Sequence, residues 1–234
     1  MEQWLQWARG PAFKFAFLLM VLGLLRQIIL AVIGIAQAWN RAGDKTIPKK
    51  VVFQTTLQWL FPLKKLNNNR PAYSAMSVIF HIGLIFTPVL LLPHIELWKR
   101  GLGIAWPSLP HALADVFTLV TVAAALGLII GRLGNKESRR ISRVQDIALP
   151  PLMALPFITG YLAMHPVLNP IGYNVVMFIH VMSANAIFAL IPFSKLGHII
   201  LLPTTQLVSE LGWHFPAASG VDVSRTLKKE NVPI

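Results

Sequence analysis

The chain contains no cysteine, and it has little negative charge. The absence of cysteine excludes disulfides, cysteine-ligated zinc, iron–sulfur clusters and covalently attached c-type haem within this chain. Charged residues make up only 13% of the 234 positions, about half the usual fraction in a soluble domain. Acidic residues number 9 against 21 Lys and Arg, and the cations lie between long apolar runs. This distribution indicates membrane topology and argues against nucleic-acid binding.

Five apolar segments are long enough to cross a bilayer, which takes about 20 residues of helix. They are Phe13–Trp39, Ser74–Trp98, His111–Leu133, Ile147–Met164 and Tyr173–Leu202. The first run has no small-residue cleavage site after it, so we expect it to remain as a spanning helix. A further segment, Val51–Leu66, is interrupted by polar residues and predicts an interfacial helix or loop. We therefore predict an all-α integral membrane bundle of five transmembrane helices over residues 1–203 and a cytoplasmic C-terminal tail over residues 204–234.

Lys and Arg are concentrated in alternate connecting segments. The first loop, the third loop and the tail hold most of them, including Lys45, Lys50, Arg70, Lys136, Arg139, Arg140, Arg143, Arg225 and Lys228. The fourth loop, residues 165–172, has none. The positive-inside rule then places the N-terminus outside and the C-terminus in the cytoplasm, and predicts a multi-pass protein of the inner (cytoplasmic) membrane.

Four of the seven histidines lie inside predicted spans, His81 and His94 on the second and His180 and His198 on the fifth. Polar side chains are costly inside a bilayer and usually serve a function there. His81 and His180 each lie seven residues after the start of their spans, roughly 10 Å deep. Because the two spans run antiparallel, His94 should lie level with His180, and His198 with His81. Each pair could bind one haem iron from both sides, an arrangement that suits electron transfer.

The spacing of the four histidines supports the two pairs unequally. His180 and His198 are 18 residues apart, which is five full turns and places them on one face of a continuous helix. His81 and His94 are 13 residues apart, about 140° apart on a straight helix. Pro88 and Pro93 predict a kink that would rewind the helix between them.

The stretch from His180 to His198, HVMSANAIFALIPFSKLGH, resembles the last helix of the respiratory nitrate reductase gamma subunit family. In that family a histidine, an apolar run, Pro-Phe-Ser-Arg/Lys and a second histidine follow at this spacing. Its members have five helices, bind two b haems and oxidise menaquinol or a similar quinol near the outer haem. The resemblance implies that His94 and His180 hold the outer haem, that His81 and His198 hold the inner one, and that electrons pass to a cytoplasmic iron–sulfur subunit.

The second span departs from the nitrate reductase members, whose two histidines lie closer together. The stretches His81-Ile-Gly-Leu and Pro93-His94-Ile-Glu-Leu-Trp98 are more similar to relatives in the membrane complexes of sulfur metabolism. Those relatives imply a heterodisulfide-reductase-like iron–sulfur partner in place of a nitrate-reductase-beta-like one, and in some complexes a multihaem cytochrome c.

Several other polar residues are candidates for function. Arg26 lies near the middle of the first span and needs a partner there, either a haem propionate or carboxylate or a protein–protein contact. A quinol-oxidising site needs proton acceptors. Six polar residues could meet at the outer surface, namely Glu96, Lys99, Arg100, His111, Asp115 and His165. We select Lys99, His111 and Asp115 from these as quinol-site candidates, although each alone could be an ordinary interfacial residue.

These observations predict a di-haem b subunit of a respiratory complex, carrying electrons between the menaquinone/quinol pool and its partner. Two alternatives remain open. A transporter could use the histidines as a proton relay, although transporters often have more helices and internal repeats. A membrane anchor without a cofactor would tolerate replacement of all four histidines.

Overall fold

The computed structural model describes residues 1–42, 49–60, 70–212 and 219–228, and these ranges are almost entirely helical, with no β-strand. The α-helices in order are α1 (Glu2–Trp7), α2 (Phe13–Arg41), α3 (Lys49–Leu60), α4 (Pro71–Leu90), α5 (Leu92–Leu102), α6 (His111–Leu133), α7 (Lys136–Ile141), α8 (Val144–Met164), α9 (Tyr173–Leu190), α10 (His198–Gly212) and α11 (Ser219–Thr226). A π-helical turn, Ala8–Ala12, joins α1 to α2 around Pro11.

Among the described residues, five helical segments are long and apolar enough to cross a membrane: Glu2–Arg41, Pro71–Leu90, His111–Leu133, Val144–Met164 and Tyr173–Phe193. The predicted all-helical, multi-pass membrane architecture is confirmed at this level. The third span matches its prediction residue for residue. The first begins earlier than predicted, because helical backbone continues through Pro11.

The second predicted span, Ser74–Trp98, is wrong as a single helix. α4 ends at Leu90, Leu91 adopts an extended conformation (φ −75°, ψ 127°), and α5 starts at Leu92. Pro93 occupies the first turn of α5, where proline is tolerated because that N–H has no helical partner. The chain breaks here instead of rewinding, so the angle of 140° between His81 and His94 does not apply.

The fifth predicted span, Tyr173–Leu202, is also discontinuous. α9 ends at Leu190, two short 3₁₀ turns follow at Ile191–Phe193 and Lys195–Gly197, and α10 begins at His198. Pro192 lies in the first of these turns. The inference that His180 and His198 share one face of a continuous helix is therefore wrong.

The chain forms two compact units, and the first comprises residues 1–20 and 64–190. In it α4 packs on α6, α6 on α8, α8 on α9, and α9 on α1 and the π turn. Each of the packed pairs α4–α6, α6–α8 and α8–α9 is antiparallel. We call one end of this unit the histidine end: it contains the C-termini of α4 and α8 and the N-termini of α6 and α9.

Small residues bring the helices of the first unit close together. The buried face of α6 consists mainly of Ala and Thr, namely Ala114, Thr118, Thr121, Ala124, Ala125 and Leu128. On α4 a Cβ added at Gly83 would overlap the Thr121 side chain. Thr118 and Thr121 donate their hydroxyl protons to carbonyls of their own helix. Close backbone approach with satisfied hydroxyls is typical of helix packing in membranes.

Polar contacts join the helices at the opposite end of the first unit. Arg70 donates to the Gly131 carbonyl at 2.7 Å and to the Ser138 hydroxyl at 2.6 Å. Arg132 Nη1 lies 3.2 Å from Asp146 Oδ1. These contacts connect the start of α4, the end of α6, α7 and the start of α8, so this end is cross-linked by side chains.

The second unit comprises residues 21–63 and 191–234. Gln27 Nε2 donates to the Pro192 carbonyl at 2.6 Å, and α3 packs on α10. The predicted interfacial segment Val51–Leu66 is helical within α3, and its remainder from residue 61 lies outside the described residues. The predicted boundary between residues 203 and 204 falls inside α10.

Candidate functional site

The break at Leu91 leaves the last four carbonyls of α4 without partners in their own helix, as at any helix end. Each finds a donor elsewhere. The Leu91 amide donates to Thr87, the His94 ring binds Pro88 at 2.8 Å, the Trp106 indole donates to Val89 at 2.9 Å, and the Leu109 amide donates to Leu90 at 2.9 Å. The break is therefore compatible with apolar surroundings, where an unpaired carbonyl is costly.

The His94 ring is oriented by the break itself. Its Nδ1 faces the Pro88 carbonyl, six residues earlier. A carbonyl only accepts, so Nδ1 must carry the proton and Nε2 the lone pair of the neutral ring. This tautomer is the one that presents Nε2 to a metal, because ligating histidines usually donate their other nitrogen to a carbonyl or carboxylate.

The His180 ring on α9 is oriented by the neighbouring helix α8. Its Nδ1 lies 2.9 Å from the Pro156 carbonyl and 3.3 Å from the Thr159 hydroxyl. A Cβ added at Gly160 would lie 3.1 Å from His180 Cε1, so the glycine leaves room for the ring. As in His94, the bonded Nδ1 leaves the lone pair on Nε2.

The two rings lie side by side in the first unit. Their centroids are 6.1 Å apart and their planes differ by 27°. Both side chains are half-buried. The structure therefore brings together one of the two predicted histidine pairs, and both rings have the same tautomer.

The remaining two candidate ligands are arranged differently. His81 Nδ1 bonds the Ser77 carbonyl at 2.7 Å, four residues earlier in α4. His198 Nδ1 bonds the Lys195 carbonyl at 2.8 Å, three residues earlier. Both bonds place the proton of the neutral ring on Nδ1. His81 belongs to the first unit and His198 to the second, and their pairing stays a prediction.

A second polar cluster, the His–Asp–His cluster, consists of His111 and Asp115 at the start of α6 and His165 at the end of α8. Asp115 Oδ2 lies 3.3 Å from His111 Nδ1 and 3.3 Å from His165 Nε2. His165 Nδ1 bonds the Tyr161 carbonyl at 2.9 Å, and the Tyr161 ring lies against the His165 ring at 4.1 Å. Two basic rings and a carboxylate thus meet at the histidine end.

Helix α8 connects this cluster to the His94–His180 pair. Gly160 faces the His180 ring, and the next residue, Tyr161, contacts the His165 ring. Adjacent residues in the chain have Cα atoms about 3.8 Å apart. The cluster and the histidine pair therefore approach the same turn of α8.

Two other predicted site residues, Lys99 and Arg26, make none of the described contacts with these groups. Lys99 is on α5, where its Nζ lies 3.7 Å from Glu96 in a largely exposed ion pair. Among the described contacts it is paired with Glu96 and not with His111 or Asp115. Arg26 is exposed on α2, in the second unit. The contact made by this stretch comes from its neighbour Gln27.

Sequence reasoning passed over several residues that support the site. The carbonyls of Pro88 and Pro156 accept from the two rings, Gly160 makes room, and Tyr161 fixes His165. Prolines in a span carry a usable signal, because each disturbs the helical bonding around it and can leave carbonyls to be satisfied by other donors. His165 was considered but was not selected, since only the packing of α6 on α8 places it beside Asp115.

The chain is 26% identical over 196 residues to a protein from Nitratidesulfovibrio vulgaris strain Hildenborough, whose name states no function. The match covers 82% of this chain and 85% of that protein. No family model matches the chain, and no solved structure matches it. Function must therefore be argued from the residues of the site.

Proposed function

We propose that this protein is a di-haem b-type membrane subunit that carries electrons between the quinol pool and a partner redox subunit. One observation carries the proposal: the half-buried rings of His94 and His180 lie side by side, each with Nδ1 bonded to a carbonyl.

The two rings are close enough to serve one haem as a pair. Their centroids are 6.1 Å apart, and in each ring Nδ1 is bonded to a carbonyl, so Nε2 would be the ligating atom. The absence of cysteine leaves histidine as the natural axial ligand, and two histidines suit a low-spin centre that exchanges electrons.

His94 and His180 would hold this haem, which supplies one-electron chemistry when bound. The protein contributes orientation. The Pro88 and Pro156 carbonyls fix the tautomers of both rings, so Nε2 of each is the atom available to the iron. For a second haem the proposal rests on the sequence, with His81 and His198 as ligands and Arg26 as a candidate partner for a propionate.

Quinol oxidation would take place at the histidine end. Oxidising a quinol releases protons that neighbouring groups must accept. Asp115, between His111 and His165, offers an acceptor beside the turn of α8 that contacts His180. Of the predicted quinol-site residues, His111 and Asp115 remain in the proposal and His165 joins them. Lys99 forms an exposed ion pair with Glu96.

The opposite end of the first unit offers a docking surface for a soluble partner. Lys136, Arg139, Arg140 and Arg143 are exposed in and beside α7. By the positive-inside rule this end faces the cytoplasm and the histidine end faces outward. An iron–sulfur subunit with an acidic face would suit the basic surface, and the apolar spans would contact membrane lipid.

The test is the haem content of the purified full-length chain, measured by pyridine haemochrome and by reduced-minus-oxidised spectra. We expect two b haems per chain, and we expect His94→Ala and His180→Ala each to lose the same one. The second redox test is reduction of the bound haem by a menaquinol analogue. A colourless protein would overturn the proposal and favour a transporter or an anchor without a cofactor.

A further inference from the structure

The His–Asp–His cluster is assembled in a way that calls for a bound cation. The Tyr161 carbonyl holds the proton of His165 on Nδ1, so the Nε2 that faces Asp115 carries a lone pair when the ring is neutral. At 3.3 Å, the carboxylate oxygen faces this nitrogen directly. Two electron-rich atoms placed together need a proton or a metal ion between them.

The distances fit a metal ion better than a shared proton. A charge-assisted N–H···O bond is about 2.7–2.9 Å long. A tetrahedral ion with ligand bonds of about 2.0–2.2 Å spaces its ligands about 3.3–3.5 Å apart. Asp115 Oδ2 lies 3.3 Å from both ring nitrogens. All three candidate ligand atoms lie within 4.8 Å of one another, so one ion could reach all three after small adjustments.

We propose that His111, Asp115 and His165 form a binding site for a divalent transition-metal ion of the zinc class, with water in the fourth position. Two imidazoles and one carboxylate form a ligand set that zinc favours. His111 and Asp115 are four residues apart, on one face of α6. His165 comes from the end of α8, so the ion would also link these two helices.

The surroundings of the cluster support such a site. The His111 side chain is 61% exposed, and those of Asp115 and His165 are 27% and 24% exposed, so an ion can enter from water. The Tyr161 carbonyl and ring fix His165 from behind, as outer-shell groups do for metal ligands.

The site has a consequence that rests on the proposed function. An ion bound here would occupy the groups assigned as proton acceptors, so it would slow quinol oxidation. The same residues would therefore work as proton acceptors when metal-free and as an inhibitory site when zinc is present.

The experiment uses the full-length, tag-free chain in detergent, with Zn²⁺ as the probe. Equilibrium dialysis gives the affinity, and zinc-edge X-ray absorption gives the ligand shell. We expect a shell of nitrogen and oxygen ligands at about 2.0 Å, and we expect Asp115→Asn and His165→Gln each to weaken binding roughly 10-fold or more. Glu96→Gln is the matched control, because Glu96 is another carboxylate at the histidine end, and it should leave binding unchanged.

Binding that is undiminished in both variants, or no binding to the wild-type chain, would overturn the metal site. His111→Ala covers the case in which a buried substitution disturbs folding, because His111 is largely exposed. None of these readouts involves haem or quinol. Zinc binding by a chain without haem would therefore contradict the proposed function and support the metal site. A chain that binds haem but does not bind zinc would contradict the metal site and support the proposed function.

Discussion

The four candidate haem ligands fall into two kinds. His94 and His180 bond carbonyls that lie 6 and 24 residues away, whereas His81 and His198 bond carbonyls 4 and 3 residues away. The first two rings are therefore fixed by a helix break and by a neighbouring helix. Each of the other two bonds a carbonyl of the turn that carries it.

This difference shows which hydrogen bonds orient each ring. A ring held by tertiary contacts depends on the packing around it, and substitutions in neighbouring residues should disturb it. The hydrogen bond of a ring to its own turn should be less sensitive to the same substitutions. Three of the four predictions concern the histidine rings, and one concerns the proton acceptor at the histidine end.

The largest expected effect comes from combining substitutions within and across the two pairs. His94→Ala with His180→Ala should leave about one haem per chain, as either single variant does, because both ligands serve one iron. His81→Ala with His180→Ala should leave about none. Pyridine haemochrome assays measure both. Equal haem contents in the two double variants would contradict the pairing.

The second prediction concerns the proton acceptor. Asp115→Asn keeps the size of the side chain but removes its basicity, so quinol should reduce the haem more slowly by about 100-fold or more. Dithionite reduction should be unchanged. Stopped-flow spectroscopy follows both reactions, with Glu96→Gln as the control. An unaltered rate with quinol would remove Asp115 from the reaction.

The third prediction tests the tertiary positioning of His180. In Gly160→Ala the new Cβ would lie 3.1 Å from His180 Cε1, so the ring would have to shift by a few tenths of an ångström. We expect one haem to be lost at a lower temperature while the other is retained as in the wild type. Gly34→Ala is the control, because an added Cβ there meets nothing within 4 Å. Equal loss of both haems would show that the effect is not local.

The smallest expected effect follows the loss of one weak contact. Thr159→Val removes the hydroxyl that lies 3.3 Å from His180 Nδ1 and leaves the bond to Pro156. A contact of this kind contributes about 0.5 kcal/mol, equivalent to roughly 20 mV for one electron. Redox titration should show a small rise in the potential of one haem only, since the ring becomes less basic. A shift of the other potential would mean that His180 belongs to a different centre.

Much of the fold could be predicted from the sequence because a bilayer demands long apolar helices. His111–Leu133 matched fully, since Pro110 precedes it and charged residues follow it. The two helix breaks could not be located. Pro88, Pro93 and Pro192 indicate disturbed helices, but whether a helix bends or stops depends on donors such as Trp106, which bonds Val89 from 17 residues away.

The candidate site, like the fold, could be predicted only in part. Comparing the depth of each histidine in its span placed His94 beside His180, and the structure has them adjacent. The reasoning about angles failed, because it assumed continuous helices. No spacing in the sequence brings His165 to Asp115, since that contact depends on α6 packing on α8. Lys99 was selected for its charge and position. It forms an exposed ion pair with Glu96, and its role at a quinol site stays a prediction.

The bond between His94 and Pro88 has an evolutionary consequence. Replacing His94 would remove a proposed haem ligand. It would also leave a carbonyl at the end of α4 without its donor, at a cost of about 1–3 kcal/mol. Selection on this position therefore acts through folding as well as through chemistry. We would expect a descendant that no longer binds the proposed haem to keep a hydrogen-bond donor here, such as asparagine.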